Sequence, residues 1–407
     1  MNRRLLLLTV FFIGIFTTVA CSDATQSTSP ATEKQSVTTD SFVDGNGWTW
    51  HKVDEIDSYS ESTPDDIETV EGLEKLPSIE DMTVEEVADT FKPIMEFNQK
   101  VYELSDEDTT ELAEEMKNAE EAGVSRSDPA MALDGTSSQF GSTSGSTNQT
   151  TTPLSPTGSG GVSTNDTFGG EERTAAPSDT WPDRMIAEAG CTAFKLIGHH
   201  MAATAAHCVY DDGLDSDGPR NWKSPSPWHF SADDTIPGID PVDTGCVARV
   251  VPRLYKEWKH HPALDMAAIL FQSPLGSCDF SNYNVGYFGY DEMGPANGKR
   301  THQIGGYPYP PPYNTQHPDY YEDEDDAWVR RLYPRRLVYT IDASGGNSGS
   351  PVAKQNPTWN GYEFVYATSV HSGGYRFPFV RRNNGVRFSG GVLHWLKVMK
   401  NITSLPQ

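Results

Sequence analysis

Three short segments carry residue types suited to nucleophilic catalysis: Thr204-Ala205-Ala206-His207-Cys208, Leu264-Asp265-Met266-Ala267, and Gly345-Gly346-Asn347-Ser348-Gly349-Ser350-Pro351. A serine hydroxyl is a weak nucleophile at neutral pH and needs a base within hydrogen-bond reach. His207 has the right chemistry to take that proton and later return it to a leaving group. A carboxylate behind the imidazole fixes its tautomer and stabilises its cation, and Asp265 is placed to supply it. Glycines beside Ser348 let the backbone turn so that the N–H groups of Gly346 and Ser348 converge on a developing oxyanion. Each motif alone has an ordinary reading: a structural histidine, a turn aspartate, a glycine loop. Together, in the order His, Asp, Ser, they describe acyl transfer through Ser348. His199, His200, His260 and His261 are competing histidines that read as surface or loop residues.

Those three residues lie 58 and 83 positions apart, enough for several strands between each pair. Short apolar runs such as 267–271 and 364–370, separated by Gly, Pro and Asn, predict an all-β region. The rest of the chain is of another kind. The 407 residues have a net charge of -26. Residues 22–167 hold 31 Asp and Glu against 7 Lys and Arg, whereas residues 168–407 hold 26 against 22. This balance excludes nucleic acid as the main partner, because phosphate binding needs clustered basic residues. The expected organisation is a signal peptide over 1–20, an acidic tether or propeptide over 21–134, a Gly/Ser/Thr/Pro-rich linker over 135–167, and a catalytic domain over 168–407. Within the acidic part, Thr83-x-x-Glu86 fits a capping box, followed by Val84, Val87, Phe91, Ile94, Met95 and Val101 near helical spacing, with Pro93 interrupting. A second helix is expected from Ser105 to Gly123.

Arg3 and Arg4, the apolar run 5–16 and small residues up to Ala20 read as an export signal. Cys21 directly after it resembles a bacterial lipidation site, which would tie the protein to a membrane through a lipid. The five cysteines are Cys21, Cys191, Cys208, Cys246 and Cys278; lipidating Cys21 leaves an even four. The acidic loop Asp211 to Gly218 lacks the distal Glu of a calcium loop, so neither a metal nor a cofactor is expected. The stretch from Tyr307 to Trp328, crowded with Pro, Tyr and acidic residues, reads as a loop over the cleft or as an insertion.

The order His207, Asp265, Ser348, with the segments Cys191 to Gly198, Thr204 to Asp211, Gly306-Tyr307-Pro308, Tyr339 to Val352 and Val370 to Gly374, resembles trypsin-like serine proteases. More narrowly it is similar to the bacterial glutamyl endopeptidases. Gly170-Glu171-Glu172-Arg173-Thr174 is similar to a segment near the start of mature enzymes of that family, and Val392 to Met399 fits their closing helix. The resemblance covers residues 168–407 and implies a chymotrypsin-like double six-stranded β-barrel with a C-terminal helix. It implies a disulfide between Cys191 and Cys208, worth about 3 kcal/mol in the chain-entropy model, and leaves Cys246 and Cys278 as the remaining pair. It also implies protein or peptide substrates.

Around the substrate pocket the resemblance points two ways. Asp342, six residues before Ser348, stands where trypsin-like enzymes select Arg or Lys. His371, with Ser372 and Gly373, stands where glutamyl endopeptidases meet a substrate carboxylate. Ala343 departs from that family, which has a hydroxyl residue there. Cleavage after Glu is the expectation, helped if Asp342 holds His371 charged. Cleavage after Arg or Lys through Asp342, and a surface-tethered binding protein without turnover, are the alternatives.

Overall fold

Residues Ala267–Phe271 are five consecutive apolar residues, every one buried, and the run is too short for a stable helix. A strand satisfies such a run when it has neighbours on both edges. It pairs antiparallel with Val247–Pro252 on one side and with Met201–Thr204 on the other. This trio is the centre of the first of two large sheets.

The computed structural model describes residues 41–53, 77–123, 126–127, 174–175, 185–188, 191–198, 200–211, 221–223, 228–230, 247–257, 263–271, 286–291, 298–299, 302–308, 321–325, 328–333, 335–341, 343, 345–355, 364–377, 380–402 and 405. All fall within one unit, Thr38–Gln407. The signal segment, Cys21, the linker, Asp342, Cys246 and Cys278 lie outside the described residues.

The first sheet is antiparallel throughout and has ten strands. Six come from the catalytic part, in the order Val247–Pro252, Ala267–Phe271, Met201–Thr204, Thr192–Lys195, Ile186–Glu188 and His229–Phe230. The other four come from the acidic segment: Ser41–Val43, Thr49–Val53, Lys100–Leu104 and Pro93–Phe97, the last pairing with Val247–Pro252. The second sheet is also ten-stranded and runs through Arg336–Tyr339, Val380–Arg387, Phe364–Phe377, Pro351–Gln355 and His302–Gly306. Among the described residues its one parallel pairing joins Gly289–Tyr290 to Phe364–Phe377. Two sheets, antiparallel but for that pairing, and a C-terminal helix give the chymotrypsin-like all-β fold that was expected.

The acidic segment differs from its expected pattern at one point. The capping box is present: Thr83 Oγ1 accepts from the Glu86 amide, and Glu86 Oε2 accepts from the Thr83 amide at 2.8 Å. Helix α1, Val84–Phe91, then stops at Lys92. Pro93 has no N–H to continue the helical ladder, so Ile94 and Met95 lie on a strand, and Val101 on the next one. The turn between them uses Asn98 and Gln99 at positive φ. Helix α2, Asp106–Ala122, begins at Ser105 and ends at Gly123, as its flanking residues predict. A short helix α3, Arg253–Glu257, follows the Val247–Pro252 strand, and α4, Gly390–Lys400, closes the fold. Within the 307–328 stretch, Tyr321–Asp325 is a strand between His302–Gly306 and Thr174–Ala175. No described helix is long and apolar enough to cross a membrane.

Candidate active site

Strand register brings His207 and Asp265 together. Ala267 faces Thr204 across the antiparallel pair Ala267–Phe271 and Met201–Thr204. Asp265 is two residues before one partner and His207 three residues after the other, so both emerge at the same end of the sheet. Met201–Thr204 is buried throughout and leads into a 3-10 turn, Ala206–Cys208. The small Ala205 and Ala206 are fully buried beneath it. The bond between Cys191 and Cys208 fastens this turn to the start of the neighbouring strand, with the Cα atoms 5.9 Å apart.

Asp265 holds His207 by two contacts. Oδ2 lies 2.7 Å from the imidazole Nδ1, and Oδ1 accepts from the His207 backbone N–H at 2.9 Å. A third donor is the Ser372 hydroxyl, which also bonds Oδ2. Burial pushes the Asp265 carboxyl up, but the His207 charge and the bonds from His207 and Ser372 outweigh it and hold the group at about 2. The carboxylate therefore stays ionised at neutral pH, and its bond to Nδ1 leaves Nε2 as the free nitrogen of the ring. Ser372, expected in the substrate pocket, is thus a partner of the carboxylate.

Ser348 lies on the loop between Gly345 and Pro351. Gly346 and Gly349 both have φ of 88°, a conformation that side chains rarely adopt. Gly349 is also pressed against the first sheet, since a Cβ there would lie 1.9 Å from the Thr192 carbonyl oxygen. The loop is tied to the second sheet by Gly349 N–H to the His371 carbonyl at 2.7 Å and His371 N–H to the Ser350 carbonyl at 2.8 Å. The Ser348 hydroxyl donates to the Ser372 carbonyl at 3.4 Å. Among the described residues no group bonds the N–H of Gly346 or Ser348, so both donors are unspent.

Thr192 was not singled out in the sequence, yet it clasps this loop to the first sheet. Its N–H donates to the Ser348 carbonyl at 2.8 Å, and its hydroxyl donates to the Gly346 carbonyl at 2.9 Å. The same hydroxyl accepts from the Tyr307 N–H at 3.0 Å, and the Thr192 carbonyl accepts from Thr204 Oγ1 at 2.7 Å. A Cβ on Gly306 would lie 2.8 Å from this hydroxyl, which explains the glycine before Tyr307. Local pattern gives no sign of these contacts, because the Gly346 partner is 154 residues away in the chain and Ser348 lies two residues further on.

His371 is fully buried, with Nδ1 2.6 Å from the Tyr339 hydroxyl and Nε2 without a partner among the described residues. Burial, with help from His207 and against a smaller pull from Asp265, pushes its imidazole down to about 3. Tyr339 is raised well above its ordinary value by burial, so its hydroxyl remains a donor. Ala343 is buried, and Gly373 follows the bulge beyond His371 in the Phe364–Phe377 strand. Cys191, His207 and Cys208 stand close enough to suggest a metal group, but both sulfurs are committed to the disulfide.

A buried carboxylate, an oriented imidazole, a serine on a strained glycine loop and two unspent amides define the class: the chain is similar to the chymotrypsin-fold serine proteases. Within that class it is similar to the glutamyl endopeptidases. It is 27% identical over 244 residues to the glutamyl endopeptidase of Bacillus licheniformis, covering 58% of this chain and 69% of that one. Among solved structures, a Glu endopeptidase in complex with MPD shares 23% identity over 58% of this chain and 99% of its own, with a TM-score of 0.43. The protease Anisep of Arthrobacter nicotinovorans shares 17% over 53% of this chain and 93% of its own, with a TM-score of 0.38. No family model matches the chain.

Two outcomes follow from this geometry. The unfolded imidazole of His371 titrates near 6.5, and the folded one at about 3. Between those values the unfolded chain binds the extra proton, so stability falls as pH drops from about 6.5 toward 3. His371→Gln should flatten that slope in urea denaturation at a series of pH values. Thr192→Val should slow phosphonylation of Ser348 by a serine-directed phosphonate about tenfold or more, because the Gly346 carbonyl and the buried Tyr307 N–H both lose their hydrogen bond. Thr192→Ser should restore most of the rate.

Proposed function

We propose that the protein is an exported serine endopeptidase that cleaves after acidic residues, Glu above all. The observation that carries this reading is the ordered pair His207–Asp265, at 2.7 Å, set beside the Ser348 loop with its two unspent amides. In the reaction the Ser348 hydroxyl turns from the Ser372 carbonyl to the His207 Nε2 lone pair. Its oxygen attacks the scissile carbonyl while the proton passes to Nε2. Asp265 stabilises the imidazolium without taking its proton. The N–H groups of Gly346 and Ser348 receive the oxyanion; loss of one such donor typically costs about 3–4 kcal/mol. His207 returns the proton to the leaving amine. Water, deprotonated by His207, then hydrolyses the acyl-enzyme and frees Ser348.

The acidic preference rests on His371. With the Tyr339 hydroxyl donating to Nδ1, the ring proton sits on Nε2, the nitrogen without a partner. That N–H is a donor for a substrate carboxylate, and the arriving negative charge favours the imidazolium. The Cys191–Cys208 bond supports export, since disulfides persist in oxidising compartments. We read Cys21 as the site of a lipid anchor and a position near residue 168, at the end of the linker 135–167, as the place of an activating cut, the first residues of the freed chain completing the pocket.

Ser348→Ala should lower peptide hydrolysis to the residual ~10³–10⁴ over water that binding and the oxyanion donors alone provide. His207→Ala should fail similarly, and the double variant should be no worse. A folded Ser348→Ala with wild-type turnover contradicts the assignment, and a folded wild type without turnover favours a binding protein. A peptide library read by mass spectrometry should show cleavage after Glu, with His371→Ala reducing it more for Glu than for other residues. If Asp342→Ser abolishes cleavage after Arg and Lys while His371→Ala changes little, the pocket is trypsin-like.

A further inference from the structure

The segment 41–123 was expected as a tether or a removable propeptide. We infer instead that it is a permanent second chain of the mature protein: after a cut in the linker it stays docked on residues 168–407. This rests on the interface alone and is independent of the proposed catalysis.

Three sets of contacts carry it. At the sheet edge, Pro93–Phe97 pairs with Val247–Pro252 from Glu96 opposite Arg249 to Pro93 opposite Pro252. Glu96 Oε2 accepts from Arg249 Nε at 2.9 Å and lies 2.8 Å from Nη2, with both side chains buried. A strand edge of this kind is a template for pairing and is rarely left open.

Helix α2 lies across the start of α4, and the catalytic part carries two glycines at the crossing. A Cβ on Gly390 would lie 2.0 Å from the Ala119 carbonyl oxygen, and one on Gly391 2.7 Å from Ile79 Cδ1. Glycine weakens a helix, so a Gly-Gly start has a use only where another backbone must approach. The Gly391 N–H, one of the unpaired donors of a helix start, donates to Glu120 Oε2 at 2.8 Å. His394 Nε2 lies 2.9 Å from Glu115 Oε2.

The third set is in the core. Trp395, fully buried, donates from Nε1 to the Phe91 carbonyl at 2.9 Å. The buried Arg335 guanidinium lies 5.0 Å from the centre of the Phe91 ring and donates to the Met82 sulfur. Phe91, Met95 and Met116 belong to the same apolar core as Val250, Leu393 and Trp395. Removing the segment would uncover one side of that core and leave Glu96, Phe91 and Glu120 missing from partners shaped to receive them.

The test needs no activity. A recognition site for a sequence-specific protease is placed in the linker of the full chain carrying Ser348→Ala, and the linker is cut. A denaturing gel should show two fragments, and size-exclusion chromatography one peak that holds both, in low and in 1 M salt. Separation should require denaturant. Fragments that elute apart while the 168–407 fragment keeps its near-ultraviolet circular dichroism overturn the inference. In the same experiment Gly390→Ala should raise dissociation of the cut fragments about tenfold or more, since the crossing cannot accept a methyl group without shifting. Retention as tight as in the parent would show that the α2–α4 crossing does not hold the segment, and would also count against it.

Discussion

The loop that carries Ser348 must come within hydrogen-bond distance of Thr192, and most of the site is arranged around that approach. The first sheet supplies the imidazole and its carboxylate, whereas the second supplies the serine and its amides. They meet correctly only if the two sheets are held at fixed separation. Gly306 and Gly349 remove the side chains that would keep them apart, and Thr192 then bonds the loop at both Gly346 and Ser348. The disulfide of the adjacent Cys191 to Cys208 fixes the same strand to the His207 turn. One short stretch of chain therefore sets the positions of both the His207 imidazole and the Gly346 and Ser348 amides, in the sense that rigid elements position groups more precisely than free loops.

Ionisation follows from the same packing. Asp265 and His371 are both buried, yet they sit in opposite states. The carboxylate has three donors that offset its desolvation, so it remains charged. The imidazole of His371 has the Tyr339 hydroxyl beside Nδ1, and burial outweighs the pull of Asp265 and keeps it neutral. In the proposed reading, a neutral donor that becomes charged when an anion arrives would favour an acidic side chain without the cost of a permanent buried cation.

Much of this was legible in the sequence, because catalysis needs specific residue types in short motifs. The order His207, Asp265, Ser348 and the glycines around Ser348 pointed to the site, and Thr83, Ser105 and Gly123 marked the helix ends in the acidic segment. What escaped was non-local. Pro93 was visible as an interruption, but that Ile94 and Met95 form a strand depends on Val247–Pro252 offering an edge more than a hundred residues later. Gly390 and Gly391 look like an ordinary helix start until α2 is seen to cross them. Thr192 has no distinguishing local pattern, and the motif around Ser372 gives no sign of its bond to Asp265, because both roles are set by hydrogen bonds between separate sheets.

The central claim is that Ser348 is activated by His207 under the orientation of Asp265. It is tested most directly by incubating the protein with a serine-directed phosphonate and locating the adduct by peptide mass spectrometry. The account predicts a single adduct, on Ser348, that forms at pH 7 and is lost in His207→Ala although the variant remains folded. Labelling of other serines at equal rates, or labelling of Ser348 that is unchanged in His207→Ala, would contradict it.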